Sequence, residues 1–125
     1  MTFIEKMKMQ AKQDIKTIVL PESEDLRTLE ATEIVLKEGF ANIILIGNPQ
    51  EINELAEKNN INLNGAQIVN PATSADFSKY ANDLYELRKN KGMTLDQAKE
   101  LLKTNSRYFA TMMVKEGDAD GFVSG

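Results

Sequence analysis

Ile43-Ile-Leu-Ile-Gly-Asn-Pro49 decides the fold. Four consecutive aliphatics, three of them β-branched, read as a strand buried on both faces, which is the pattern of a parallel sheet covered by helices. Gly47 closes the run, Asn48 offers an N-cap, and Pro49 occupies a first helical position where its missing N–H costs nothing. A strand that passes within two residues into a helix is half of a βαβ unit, and the neighbouring sequence repeats it. Upstream, Thr17-Ile-Val-Leu20 is a second compact strand stopped by Pro21, with Ser23 as the expected N-cap of a helix running to Gly39. Downstream, a helix from Pro49 to Asn59 would bury Ile52, Leu55 and Ala56, and Gln67-Ile-Val-Asn70 reads as a third strand ended by Pro71. The alternation predicts an α/β protein, three-layer α/β/α, with a mainly parallel sheet and right-handed crossovers.

Both flanks of this core read as helical. Thr2 and Glu5 have capping-box spacing, and Phe3, Ile4, Met7 and Ala11 form an amphipathic stripe, so a short helix is expected before the first strand. After Pro71, Phe77, Tyr80, Ala81, Leu84 and Leu87 mark the apolar side of a helix ending near Asn90. Gly92 interrupts, Thr94 and Gln97 open a second helix to about Lys103, and a third starts at Asn105 or Ser106 and ends at Gly117. Asp120 to Ser124 reads as a closing strand arriving at a small-residue loop. Ligands of open α/β sheets bind beyond the carboxyl ends of strands, so the chain reads as a fragment that stops where a site begins.

The composition narrows the chemistry. The 125 residues suit one domain, and 15 Lys and Arg against 19 Asp and Glu give a net charge of −4, with no global pull toward nucleic acid or an anionic membrane. The sequence has no Cys and no His, which excludes thiolate nucleophiles, imidazole bases and the usual zinc ligands within these residues, and no metal site is expected. No apolar run reaches membrane-spanning length and the first residues lack a signal-peptide core, so a cytoplasmic location is expected.

Few residues could carry chemistry. Arg88 falls in the same helical arc as positions 77, 81 and 84, so it extends an apolar stripe; it either snorkels to water at a helix C-terminus or presents its planar donor fork to a phosphate or carboxylate. Lys89 and Lys91 add positive charge beside it. Pro21-Glu-Ser-Glu-Asp25 stands where doubly wound folds place phosphate loops, yet it lacks glycine and carries three carboxylates, and neither dinucleotide nor P-loop glycine motifs occur. These acids favour the helix N-terminus, and Arg27 is placed to pair with them. Ser124 could donate to an oxyanion or be an ordinary turn serine, and nothing in the chain could activate it as a nucleophile.

Four blocks in order, Lys16-Thr-Ile-Val-Leu-Pro-Glu-Ser-Glu-Asp-Leu-Arg27, Ala41-Asn-Ile-Ile-Leu-Ile-Gly-Asn48, Tyr85-Glu-Leu-Arg-Lys-Asn-Lys-Gly-Met-Thr94 and Gly117-Asp-Ala-Asp-Gly-Phe-Val-Ser-Gly125, resemble the phosphate acetyltransferase family. The resemblance implies that residues 1–125 are the N-terminal portion of the first α/β domain of a two-domain acyltransferase, with the rest of that domain and the second domain outside this chain. It implies exchange of an acetyl group between CoA and phosphate, with acetyl-CoA, phosphate and acetyl phosphate as substrates, no tightly bound cofactor, and a homodimer for the full-length member. A carboxylate that deprotonates the CoA thiol, and arginine and serine groups that stabilise the tetrahedral oxyanion, are implied for the family. The catalytic residues stay unassigned here. Arg88 matches an arginine implicated in CoA or phosphate binding, and Ser124 and Gly125 match the strand end lining the cleft. A phosphate butyryltransferase segment and a stand-alone α/β ligand-binding module are the alternative readings.

Overall fold

A computed structural model describes residues 4–5 and 16–123. Of the expected first helix, only Ile4 and Glu5 are described, and both are helical. The described order is β1 (Lys16–Leu20), α1 (Leu26–Glu38), β2 (Ala41–Ile46), α2 (Pro49–Lys58), β3 (Gln67–Val69), α3 (Phe77–Arg88), a single 3-10 turn (Lys89–Lys91), α4 (Leu95–Thr104), α5 (Ser106–Lys115) and β4 (Gly121–Phe122).

The four strands form one sheet in the order β3-β2-β1-β4, and every neighbouring pair is parallel. In β1 against β2, Ile18 lies opposite Ile43, Val19 opposite Ile44 and Leu20 opposite Leu45. Because successive side chains leave a strand on opposite faces, this register divides the aliphatics between two cores. Ile18, Leu20, Ile43 and Leu45 pack with Leu29 and Val35 of α1 and Ile52 and Ala56 of α2. Val19, Ile44 and Ile46 face the other way, onto Tyr80, Ala81 and Leu84 of α3, Ala98 and Leu102 of α4, and Phe109, Ala110, Met112 and Met113 of α5. The three-layer α/β/α arrangement and the parallel sheet are therefore both present. Ile18, Val19 and Leu20 are wholly buried, and each side chain of this kind contributes about 1.5–3 kcal/mol relative to exposure.

The local signals explain the element ends, with three corrections. Asp25, not Ser23, caps α1, accepting the Arg27 N–H at 2.9 Å. Gly39 ends α1 in the left-handed region at φ 71°, and its N–H donates to the Val35 carbonyl. Asn48 caps α2 by accepting the N–H groups of Gln50 and Glu51, and Thr94 with Gln97 forms the expected capping box on α4. The second correction is the apolar stripe of α3, which ends at Leu84: Leu87 is 50% exposed, because α4 and α5 cover only the earlier turns. The third is β4, paired with β1 only over Gly121 and Phe122, where Asp120 to Ser124 was expected to be strand.

Candidate functional site

The helices divide between the faces of the sheet so that β1 leads outward to β2 and β3, while α3, α4 and α5 carry the chain back across to β4. The direction of winding therefore reverses between β1 and β4, and the carboxyl ends of these two strands flank the crevice where this class of fold binds ligands. Val123, just past β4, is buried in the core with Ile18 and Leu20, its N–H donating to the Val19 carbonyl at 3.1 Å. Ser124 and Gly125, expected to line the crevice, lie outside the described residues.

The loop after β1 is fixed on three sides. Ser23 is completely buried: its hydroxyl donates to the Leu20 carbonyl at 2.7 Å and accepts the Ile46 N–H at 2.9 Å. It thereby extends the β1–β2 ladder past the end of the backbone pairing, a tertiary use that removes it from capping α1. Arg107, in the first turn of α5, donates from Nε and Nη2 to Glu22 Oε1 at 3.2 and 2.9 Å, clamping the loop to the opposite face of the sheet. Asp25 pairs with Arg27 at 2.8 Å, as its position anticipated, and hydrogen bonds from Arg27 hold its carboxyl below the usual range. The acids of this loop are thus largely engaged as structure.

Glu24 is different. It is exposed, makes no ion pair among the described residues, and lies over the end of β2: a Cβ placed on Gly47 would stand 3.0 Å from Glu24 Oε1 and 3.0 Å from Ile52 Cδ1. A side chain there would crowd both neighbours, and at φ 153° glycine adopts the backbone without the strain any other residue would carry. Beside it, a recess of about 320 Å³ opens at the carboxyl ends of β2 and β3, lined by Glu24, Asn48, Asn70, Lys103 and Ser106 above a floor that includes Ile46 and Pro71. A larger recess of about 480 Å³ lies beside α1, lined by Ile34, Lys37 and Asn64 on the segments that lead into the amino ends of β2 and β3, and no residue at a strand's carboxyl end lines it. Glu33 on its wall already accepts the Asn62 N–H at 2.5 Å.

Arg88 lines neither recess. It is exposed, closes α3, and has no side-chain ion pair or hydrogen bond among the described residues. α3 and α4 pack as a hairpin through the turn at Lys89–Lys91, and only the far end of α4, at Lys103 and Thr104, reaches the recess. Ten residues of helix separate the two ends by about 15 Å. Lys89 is taken up by Glu86 at 2.7 Å, so the positive field expected around Arg88 is partly neutralised.

A group of acids occupies the opposite edge of the sheet. The Tyr80 hydroxyl donates to Asp118 Oδ2, and the ring meets Phe109 edge-to-face with centroids 5.2 Å apart. Burial, then the Asp118 bond, raise the Tyr80 phenol well above its ordinary range. A hydrogen bond with Asp83 raises the Glu116 carboxyl. No cluster of three or more His, Cys, Asp or Glu among the described residues could hold a metal ion, and no described helix is long and apolar enough to cross a membrane.

A profile of the family described as phosphate acetyl/butaryl transferase matches residues 2–125. The phosphate acetyltransferase of Thermoanaerobacterium thermosaccharolyticum is 53% identical over 125 residues, all of this chain and 37% of that protein. That of Acetivibrio thermocellus is 49% identical over the same span and the same share. Among solved structures, the EutD phosphotransacetylase of Staphylococcus aureus superposes with a TM-score of 0.83 at 36% identity, covering 98% of this chain and 37% of that one. The chain spans just over a third of the length of these relatives.

Proposed function

Because the chain belongs to the phosphate acetyl/butaryl transferase family, we propose that its 125 residues form the amino-terminal portion of the first α/β domain of a phosphate acetyltransferase. The observation that carries this reading is identity of 53% along the whole chain to a protein of that name, on a fold shared with phosphotransacetylases. The relatives' names favour acetyl over butyryl transfer. In the reaction, a phosphate oxygen attacks the thioester carbonyl of acetyl-CoA, the C–S bond breaks through a tetrahedral oxyanion, and CoA leaves as a thiol after taking a proton. Such an oxyanion needs fixed donors and the thiol a proton-transfer group. Neither is assigned in residues 16–123, and the described residues supply scaffold and one wall of a cleft at the crevice between β1 and β4. A homodimer and a cytoplasmic location rest on the resemblance and on general expectation.

Arg88 belongs to this proposal as a CoA- or phosphate-binding group. Its support is the matched Glu86-Leu-Arg-Lys89 block and a guanidinium exposed and unpaired among the described residues, free to receive an anion. The experiment is steady-state kinetics of acetyl phosphate formation by a full-length family member carrying these residues, with and without Arg88→Ala. A KM for CoA or phosphate raised about tenfold, for the loss of one charge-assisted contact, is expected. An unchanged KM for both removes Arg88 from the site. The 125-residue chain alone is expected to form no acetyl phosphate, and turnover by the purified chain overturns the one-wall reading.

A further inference from the structure

Asn64-Gly65 is the only Asn-Gly step in the sequence. It lies in the connection from α2 to β3, where the Ala66 N–H closes a β-turn on the Leu63 carbonyl at 3.0 Å and Gly65 takes the third position at φ 100°, as such turns favour. Both residues are exposed. In such a step the Cγ of asparagine and the next backbone nitrogen can close a succinimide ring, and glycine has no Cβ to block the approach. Ring closure needs both groups unengaged, and the Asn64 side-chain amide and the Gly65 N–H make no hydrogen bond among the described residues. The Asn64 N–H alone is taken up, by Asn62 Oδ1 at 2.9 Å. There is also room: the nearest heavy atom to a Cβ built on Gly65, chain neighbours apart, is Leu36 Cδ2 at 3.6 Å. Other asparagines lack one of these conditions. Asn48 and Asn70 precede prolines, which have no N–H to react. Asn59 donates from Nδ2 to the Leu55 carbonyl at 2.9 Å, and Asn105 Oδ1 accepts the Arg107 N–H at 3.0 Å.

We propose that Asn64 is a site of spontaneous deamidation in the folded chain. The Gly65 nitrogen, losing its proton to base, attacks Asn64 Cγ; a C–N bond forms there, the bond to the side-chain nitrogen breaks, and ammonia leaves with a proton from water. Water then adds to either carbonyl of the succinimide and opens it, to aspartate or to isoaspartate, in which the main chain runs through Cβ and Cγ. Water is the only co-reactant, and nothing is oxidised or reduced. Both products place a new carboxylate on the recess that Glu33, Lys37 and Asn62 also line. Isoaspartate does more. Its extra main-chain carbon lengthens the turn between Leu63 and Ala66, both packed against the core on the α1 and α2 side, directly before β3. β3 is an edge strand of three residues that pairs only with β2 among the described residues, so it has little pairing with which to resist the change. The modification therefore loosens the β3 edge of the sheet, and it does so whichever reaction the family member performs.

The test is incubation of the 125-residue chain at neutral and mildly alkaline pH, its fold followed by circular dichroism, beside a free peptide of residues 59–70, with mass spectrometry of the tryptic fragment 59–79. Conversion of the Asn64 amide to the acid is expected, faster as pH rises because the attacking nitrogen must lose its proton. It is expected to be lost in Asn64→Gln, whose longer side chain has to close a larger ring and whose exposed position leaves the fold intact. No conversion in the folded chain after the peptide has converted overturns the proposal, as does conversion at another asparagine in its place. The isoaspartyl form, separated by ion exchange, is expected to melt at a lower temperature than Asn64→Asp, which adds the charge without the carbon, and to exchange the amides of Gln67–Val69 faster. Equal melting and exchange in these two forms overturns the loosening of β3.

Discussion

Ser23 shows how one hydroxyl can hold two strands. Replacing it with alanine leaves the Leu20 carbonyl and the Ile46 N–H buried without their present partner, and each lost bond of this kind costs about 1–3 kcal/mol. Ser23→Ala is expected to lower the unfolding free energy by about 2–4 kcal/mol in urea denaturation, with the m-value unchanged. Its role was not legible in the sequence, since Ser before Glu24-Asp25 satisfies every cap preference and only the arrival of β2 gives it a better use. Tyr80 makes a different prediction. Its phenol ionises at about 10 in the unfolded chain and higher in the folded one, so folding favours the protonated form. That stabilisation is complete below pH 10 and is lost as pH rises from there toward the folded value. Alkaline unfolding is expected to steepen above this point and to do so less in Tyr80→Phe, as read by melting temperature against pH.

At the scale of elements, the order of strands and helices was readable because each carries its own period and punctuation. The aliphatic runs Ile18–Leu20 and Ile43–Ile46 read as doubly buried strands, and Gly39, Pro49 and Gly92 stop or start helices through backbone geometry alone. α4 is the element that depends most on such local chemistry, for it buries only Ala98 and Leu102 and owes its start to the Thr94–Gln97 capping box, with bonds of 3.1 and 2.9 Å. Thr94→Ala is expected to cost about 1 kcal/mol. The loss should appear as faster amide hydrogen exchange confined to the first turns of α4; uniform acceleration along the chain would show that the cap supports more than this helix. The end of the α3 stripe was less legible. Leu87 and Arg88 continue the periodicity, and periodicity does not say where the neighbouring helices stop covering it.

For the whole molecule, the order β3-β2-β1-β4 was not legible, because which edge receives the last strand depends on contacts across the entire chain. The Arg107–Glu22 clamp spans 85 residues and the recess draws on four separate segments, so local spacing could name neither. The same topology leaves the outer edge of β4 without a paired strand among the described residues, next to Phe122 at 36% exposure. Unpaired edges beside apolar side chains recruit further strands. The purified 125-residue chain is expected to self-associate with rising concentration in static light scattering, and a constant monomer mass at high concentration would show that this edge is protected.

The division of the core by the sheet also has a consequence for how the chain emerges during synthesis. β1, α1, β2, α2 and β3 are neighbours in both sequence and space, so one half of the core, all but Val123, can assemble as soon as Val69 clears the ribosome. The other face of the same strands, with Val19, Ile44 and Ile46, then waits uncovered until α3, α4 and α5 have been made. β4 pairs last, with the Thr17 N–H reaching Asp120 Oδ2 across 103 residues, and closing so long a loop carries the greatest entropy cost in the fold. Translation speed through residues 70–120 therefore sets how long an aliphatic sheet face is open to chaperones.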